Sequence, residues 1–328
     1  MIIENKIGLT MGDPSGVGPE IICKAISELP TIERSSIVII GNIDFMRKAN
    51  ELLGQNLQFG SAFTDLPKDV IAVEHVPTEG SSEIVPGKIT AAGGEAAFRY
   101  IVKAVELTKS NDINVIVTAP LNKGAMHLAG HEFDGHTGLL ASLTNSPQSF
   151  MLLTSDILST VHVSTHVSLS EAVTRCTTER VLATIKAGHQ HMKEMGLDKP
   201  RIAVAGLNPH CGEGGIFGSE EIDHIIPAVE IAVKEGIDVT GPISGDTVFY
   251  RTVRNEFDLV ISQYHDQGHA PSKLLAFDTT VNVSLGLPLR RTSVDHGTAF
   301  DIAWTGKADH QNMLCAISYA QRWSNNVA

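Results

Sequence analysis

Eight short runs rich in β-branched and apolar residues, KIGLTM, SSIVIIG, INVIVTAP, QSFMLLTS, TVHVSTH, RIAVAGLNP, FDLVISQYHD and VNVSLGL, recur along the chain. They constrain its fold more than any other feature, because each has the length and residue types of a strand. Several are apolar almost throughout, as strands buried on both faces are. Helical patterns lie between them: PEIICKAISEL, EAAFRYIVKAVELTK, ERVLATIKAGHQHMKEMG and SEEIDHIIPAVEIAVKEG. The last two close at Gly196 and Gly236, the residue type favoured for a left-handed helix cap. The alternation predicts an α/β protein with a mixed, largely parallel sheet covered by helices. At 328 residues the chain exceeds what one hydrophobic core organises, so two lobes around a cleft are expected. The expected partition is 1–124 with 290–328 as one α/β lobe and 125–289 as the other. No repeat or low-complexity linker marks the junction, and residues 54–87 carry the least pattern.

A formal net charge of -12 disfavours nucleic acid and anionic lipid as partners. An anionic small molecule would have to be gathered by a few local basic groups, which makes each Lys or Arg beside an apolar strand a candidate. The opening MIIENKIGLTMGDP runs into a strand without the apolar stretch of a secretory signal, and no run approaches the roughly 20 apolar residues of a membrane span. Cys23, Cys176, Cys211 and Cys315 are isolated, as unlinked thiols of a reducing compartment are. A cytoplasmic protein is expected. Cys211 follows a candidate metal ligand, yet packing is its expected role.

Polar, Gly-rich clusters follow the strands, and in open α/β sheets ligands collect at the carboxyl ends of strands. Three histidines share that position: His166 after TVHVSTH, His210 after RIAVAGLNPH and His265 after DLVISQYH. Three imidazoles with an open position compose a catalytic site for zinc or another divalent metal. Asp266 stands next to His265 and could orient its ring. Any one histidine at a strand end is as readily a hydrogen-bonded structural residue, and by pattern alone both readings stay open. His162, His189, His191 and His310 are read as structural or solvated.

His136 and Thr137, in DGHTGLLASL, open an apparent helix whose free N–H groups suit a phosphate or carboxylate; an ordinary capped helix would look the same. Lys273, Asn282 and Arg291 flank or interrupt the apolar VNVSLGLPLRR, where a cation needs a partner. Lys and Arg there could grip a phosphate and a carboxylate, or Arg290 and Arg291 could be a surface pair. GDPSGVGPE places Gly12, Gly16 and Gly18 after the first strand, but not in the G-x-G-x-x-G spacing of a Rossmann pyrophosphate loop.

Two segments resemble the isocitrate and isopropylmalate dehydrogenase superfold. DHGTAFDIAWTGKAD is similar to its H-G-[ST]-A-x-D-I-A-x-x-G segment, which cradles the adenosine of NAD, and GDPSGVGPE to its G-D-G-I-G-P-E opening. Taken with TAPLNK, AGHEFDGHT, STHVSL, GLNPHCGEGGIFGSEE, GPISGDTVF, YHDQGHAPSK and VNVSLGLP, the chain resembles the 4-hydroxythreonine-4-phosphate dehydrogenase family over almost its full length. VHVSTH, HDQGHAPSK with His269, and AFDIAWTGKAD are more similar to the branch acting on 4-phospho-D-threonate than to the vitamin B6 biosynthetic branch.

The resemblance implies metal ligands at His166, His210 and His265, with Zn, Mg, Mn or Co as the metal. It implies substrate contacts at His136, Thr137, Lys273, Asn282 and Arg291, and NAD, or NADP, held by Asp295, His296, Gly297, Thr298, Ala299 and Asp301. It also implies a homodimer whose active site is completed across the interface, so that His265 would reach it from the second subunit. One departure is visible: the family reads G-H-T-E where this chain has Gly138.

The implied reaction is oxidation of the C3 alcohol of 4-phospho-D-threonate or 4-phospho-D-erythronate, followed by decarboxylation to dihydroxyacetone phosphate and CO2. Asp246 and Asp266 are the candidate bases. 4-Hydroxy-L-threonine 4-phosphate, the substrate of pyridoxal phosphate biosynthesis, is the alternative. Two remoter alternatives are a metal-dependent hydrolase and a non-catalytic sugar-phosphate-binding protein.

Overall fold

The structure is a computed structural model and describes residues 6–327. It divides into two compact units, one of residues 6–148 with Leu287–Asn326, the other Ser149–Gly286. The partition expected from sequence puts the change of lobe near 124/125, with no junction marked in the sequence itself. In the structure residues 125–148 belong with the first unit, and Gly94 lets the helix of residues Ala91–Lys109 lie directly against the backbone at Ala125.

The first unit holds strands β1 (Ile7–Thr10), β2 (Ile37–Gly41), β3 (Gln58–Ser61), β4 (Val70–His75), β5 (Val115–Thr118) and, late in the chain, β12 (Arg290–Ser293). Their order is β3-β4-β2-β1-β5-β12 and every pairing is parallel. Helices α1 (Gly18–Glu28), α2 (Thr31–Arg34), α3 (Ile43–Leu52), α4 (Ala91–Lys109), α5 (Lys123–Leu128), α6 (His136–Leu143) and α12 (Gln311–Asn326) complete it. β1, β2 and β5 are buried along their whole length, as their unbroken apolar pattern requires. Caps follow local rules: Asn42, Thr90 and Asn122 each accept an N–H of the first turn of α3, α4 and α5.

The second unit holds β6 (Phe150–Thr154), β7 (Ser159–His162), β8 (Ile202–Ala205), β9 (Val239–Ile243), β10 (Leu259–Ser262) and β11 (Val281–Leu285). The order is β11-β6-β7-β10-β8-β9; β6 is antiparallel to both neighbours, and β7, β10, β8 and β9 run parallel. Its helices are α7 (Leu169–Arg175), α8 (Thr178–Glu194), α9 (Ile226–Lys234), α10 (Gly245–Thr252) and α11 (His265–Ala276). Leu158, Ala203, Ala205, Ile243, Val248, Phe257 and Val260 form a core cluster here. Burying a side chain of the Leu, Val or Phe kind contributes about 1.5–3 kcal/mol. Gly196 and Gly236 have φ of 95° and 87°, the left-handed caps that the sequence predicts after α8 and before β9. The fold is thus the mixed, mostly parallel α/β type expected. Among the described residues no helix is long and apolar enough to cross a membrane.

Candidate active site

In the second unit the chemistry collects at one edge. β7, β10, β8 and β9 are successive parallel neighbours, so the loops after them leave the same side of the sheet. His166 lies in the loop after β7, His265 opens α11 after β10, His210 follows β8, and Asp246 opens α10 after β9. The His166 and His265 rings come within 5.7 Å, centroid to centroid. His210 is exposed on a loop whose residues 210–214 all have positive φ, from 45° to 73°. Glu221 anchors that loop, its buried carboxylate accepting the N–H groups of Leu207 and Asn208, both at 2.7 Å, and the Asn208 amide at 2.9 Å. A left-handed run costs about 1–2 kcal/mol per non-glycine residue, here His210, Cys211 and Glu213.

The three histidines predicted to share a metal therefore share a sheet edge, but no group of three His, Cys, Asp or Glu among the described residues is arranged to hold a metal ion. The donor chemistry nevertheless fits one. Asp266 Oδ1 lies 2.6 Å from His265 Nδ1, so the carboxylate accepts the Nδ1 proton and leaves Nε2 with a lone pair, as a metal ligand requires. Cys211, expected to pack, is half-buried, and burial raises its thiol pKa, with Glu221 and Asp246 adding to the effect.

His162, read from sequence as structural, is one end of a chain of rings. Its Nδ1 faces the Met151 carbonyl at 3.1 Å and so carries the proton. Its Nε2 then accepts from His269 Nδ1, also at 3.1 Å. Burial, with His269 the next cause, holds the His162 pKa down at about 3, so the ring is neutral. His269 in turn stacks on His265, with centroids 3.6 Å apart and 14° between the planes. The signal for this contact is the spacing of His265 and His269, four residues apart on one helix face. Lys273, one turn further on, sets its ammonium 4.9 Å from the centre of the Phe277 ring. Asn282, on β11 opposite Leu153, has a buried Oδ1 with no hydrogen-bond partner in the protein.

In the first unit Arg291 projects from β12 into the interior, where it is 3% exposed. Its Nε and Nη2 donate to the Thr118 hydroxyl at 3.2 and 2.8 Å, and burial lowers its pKa to about 9. The alternative of a surface arginine pair is excluded for Arg291. His136 opens α6, as the Gly-His-Thr pattern predicts. Burial first, and then the nearby Arg291 charge, keep its pKa well below the usual histidine value, against a bond to the Ala119 backbone. Its Nε2 is buried with no partner in the protein. A buried guanidinium beside a neutral imidazole at a helix N-terminus is suited to an anion. Thr137 follows His136 in the same first turn. At Gly138 an added Cβ would meet nothing within 4 Å, so crowding does not exclude the family's glutamate there.

The segment resembling a nucleotide cradle follows β12. The Asp295 N–H donates to the Asn312 side chain on α12 at 2.7 Å, and the Thr298 carbonyl accepts the N–H of Val17 at 3.1 Å. His296, Gly297 and Asp301 line the segment with Ala299, whose φ is 42°. Gly16 is a glycine of necessity here, since a Cβ would sit 2.9 Å from Thr298.

The family model described as pyridoxal phosphate biosynthetic protein PdxA matches residues 33–320. The chain is 45% identical over 320 residues to D-threonate 4-phosphate dehydrogenase of Cupriavidus necator, with 95% of each chain covered. It is 41% identical over 325 residues to 4-hydroxythreonine-4-phosphate dehydrogenase of Trichlorobacter lovleyi, with 97% of each covered. The crystal structure of 4-hydroxythreonine-4-phosphate dehydrogenase from Klebsiella pneumoniae superposes with a TM-score of 0.89 at 40% identity, covering 98% of this chain and 99% of that one. An oxidoreductase is the activity class that these relatives support. The chain belongs to the pyridoxal phosphate biosynthetic protein PdxA family.

Proposed function

We propose that this protein oxidises the C3 alcohol of 4-phospho-D-threonate, or of 4-phospho-D-erythronate, with NAD, and that the resulting β-keto acid loses CO2 to leave dihydroxyacetone phosphate. Four adjacent parallel strands, followed by His166, His265, His210 and Asp246, carry this proposal. A divalent metal, Zn, Mg, Mn or Co, would be held by His166, His210 and His265 and would supply Lewis acidity toward the alcohol. NAD, with NADP as the other candidate, would be held by Asp295, His296, Gly297, Thr298, Ala299 and Asp301 and would accept the hydride.

The chain's own groups have separate tasks. His136, Thr137 and Arg291 bind anionic oxygens, the neutral ring and guanidinium in fixed positions. Lys273 and Asn282 are substrate contacts, the first by charge and the second through its amide. Asp266 holds His265 in one tautomer, and Asp246 or Asp266 takes the alcohol proton. The greater identity to the D-threonate 4-phosphate dehydrogenase of Cupriavidus necator favours the hydroxy acid over 4-hydroxy-L-threonine 4-phosphate, which differs only at C2. That amine is the second candidate substrate, favoured by the Trichlorobacter lovleyi relative.

The protein acts as a homodimer in the cytoplasm under this proposal. Leu274, Phe277 and Ile216, exposed by 86%, 68% and 74%, are apolar surface that a second copy would cover, and the four cysteines form no disulfide. Comparing NADH formation on the three phosphorylated acids tests the substrate. Fastest turnover on 4-phospho-D-threonate or 4-phospho-D-erythronate is expected; fastest turnover on the amine would reverse the choice.

A further inference from the structure

We propose that Glu20 and Lys24, one turn apart on α1, are positioning residues that hold the segment 304–308 in a four-bond clamp and so preset the nucleotide cradle before cofactor binds. The proposal rests on the assignment of residues 295–301 to the cofactor. Glu20 is fully buried, and its two carboxylate oxygens accept different backbone groups: Oε2 takes the N–H of Trp304, and Oε1 the N–H of Gly306 at 2.5 Å. Lys24 grips the same stretch by its acceptors, Nζ donating to the carbonyls of Gly306 at 2.8 Å and Ala308 at 2.6 Å.

The clamped backbone is not one that would hold itself. Trp304 and Gly306 have φ of 59° and 73°, and a non-glycine residue in the left-handed region is strained. The Trp304 indole N–H donates to the Pro14 carbonyl at 2.9 Å, and its ring meets Phe45 edge-on, with centroids 6.2 Å apart. Upstream, the Val17 N–H to Thr298 carbonyl bond ties the cradle to the same turn. GDPSGVGPE thus has a task despite lacking the Rossmann spacing. Its Gly16 admits the C-terminal segment at Thr298, and its glutamate, with the lysine one turn on, locks that segment down. Charge-assisted bonds to buried N–H groups are roughly twice as strong as neutral ones, and they leave a donor stranded when removed.

The test compares wild type with Glu20→Gln and Lys24→Met, by amide hydrogen exchange of the cofactor-free protein and by steady-state kinetics. In wild type the Trp304 and Gly306 amides are expected to exchange slowly. In Glu20→Gln they should exchange at least about tenfold faster, with the β1 amide of Leu9 unchanged, because one N–H then faces an amide donor. The apparent KM for NAD should rise about tenfold more than kcat falls, with the KM for the phosphorylated acid moving less. Lys24→Met should shift both readouts the same way by a smaller factor, and it answers the question alone if Glu20→Gln does not fold. Unchanged exchange in a folded variant overturns the clamp. Faster exchange with an unchanged KM for NAD overturns its link to the cradle. A wild-type protein that binds no NAD in a calorimeter, yet shows the faster exchange in its variants, removes the cofactor assignment and with it this role.

Discussion

Asp266 Oδ1 and His265 Nδ1 stand 2.6 Å apart at the first turn of α11, the carboxylate exposed and the ring half-exposed. The pair fixes which imidazole nitrogen is left to bind a metal. Outer carboxylates of this kind typically contribute a factor of about 10–100 in metal affinity. Asp266→Asn is expected to weaken divalent-metal binding by roughly that factor, measured by competition with a chromogenic chelator. Equal affinity in the two proteins would remove the orienting role.

Arg291 offers two donors to Thr118 from a fully enclosed position, a geometry that an ammonium cannot reproduce. Arg291→Lys should lower kcat/KM for the phosphorylated acid by roughly 30- to 100-fold, the loss of a charge-assisted contact of about 2–3 kcal/mol. The loss should appear mainly in the substrate's KM and leave that of NAD little changed. A variant with wild-type substrate KM would place the anion elsewhere.

Asp13 is buried, and desolvation raises its pKa to about 6 from 3.8, against the bonds from Ser15 that lower it. A carboxyl with a raised folded-state pKa contributes stability that is fully present below pH 3.8 and is lost as the pH rises through about 6. A shift of about two units corresponds to roughly 3 kcal/mol. Asp13→Asn keeps the acceptor for the Ser15 N–H, bonded at 2.9 Å, and abolishes the titration. Its unfolding free energy relative to wild type should therefore increase between about pH 4 and about pH 7 by up to about 3 kcal/mol. Urea denaturation at the two pH values measures it, and a constant difference would show that Asp13 is ionised throughout.

The eight apolar runs are legible as strands because burial on both faces writes itself into composition. β12 is not, since RRTS presents two arginines where an apolar run is expected, and only the fold reveals that Arg291 turns inward to Thr118. β9 is hidden by the Gly-Pro pair at 241 and 242, and β3 and β4 lie in the stretch of least pattern. At the site, positions after strands are legible, so His166, His210 and His265 are found on the expected edge, whereas Asp246 follows the hidden β9. The His162 to His269 contact is not, because it depends on Gly268 making room between strand and helix: a Cβ there would meet the His162 ring. Nor does spacing reveal that His210 sits on a left-handed loop, since local strain is set by the Glu221 anchor further along the chain.

Under the proposed function His166, His210 and His265 would make this protein a metal-dependent, NAD-linked oxidoreductase. The decisive measurement is NADH formation from 4-phospho-D-threonate, followed by absorbance, with the protein first stripped by a chelator and then reloaded. Turnover with release of CO2 and dihydroxyacetone phosphate is expected, with its loss on chelation and its return on adding a divalent metal. NADH formation at an undiminished rate in the chelated protein would contradict it.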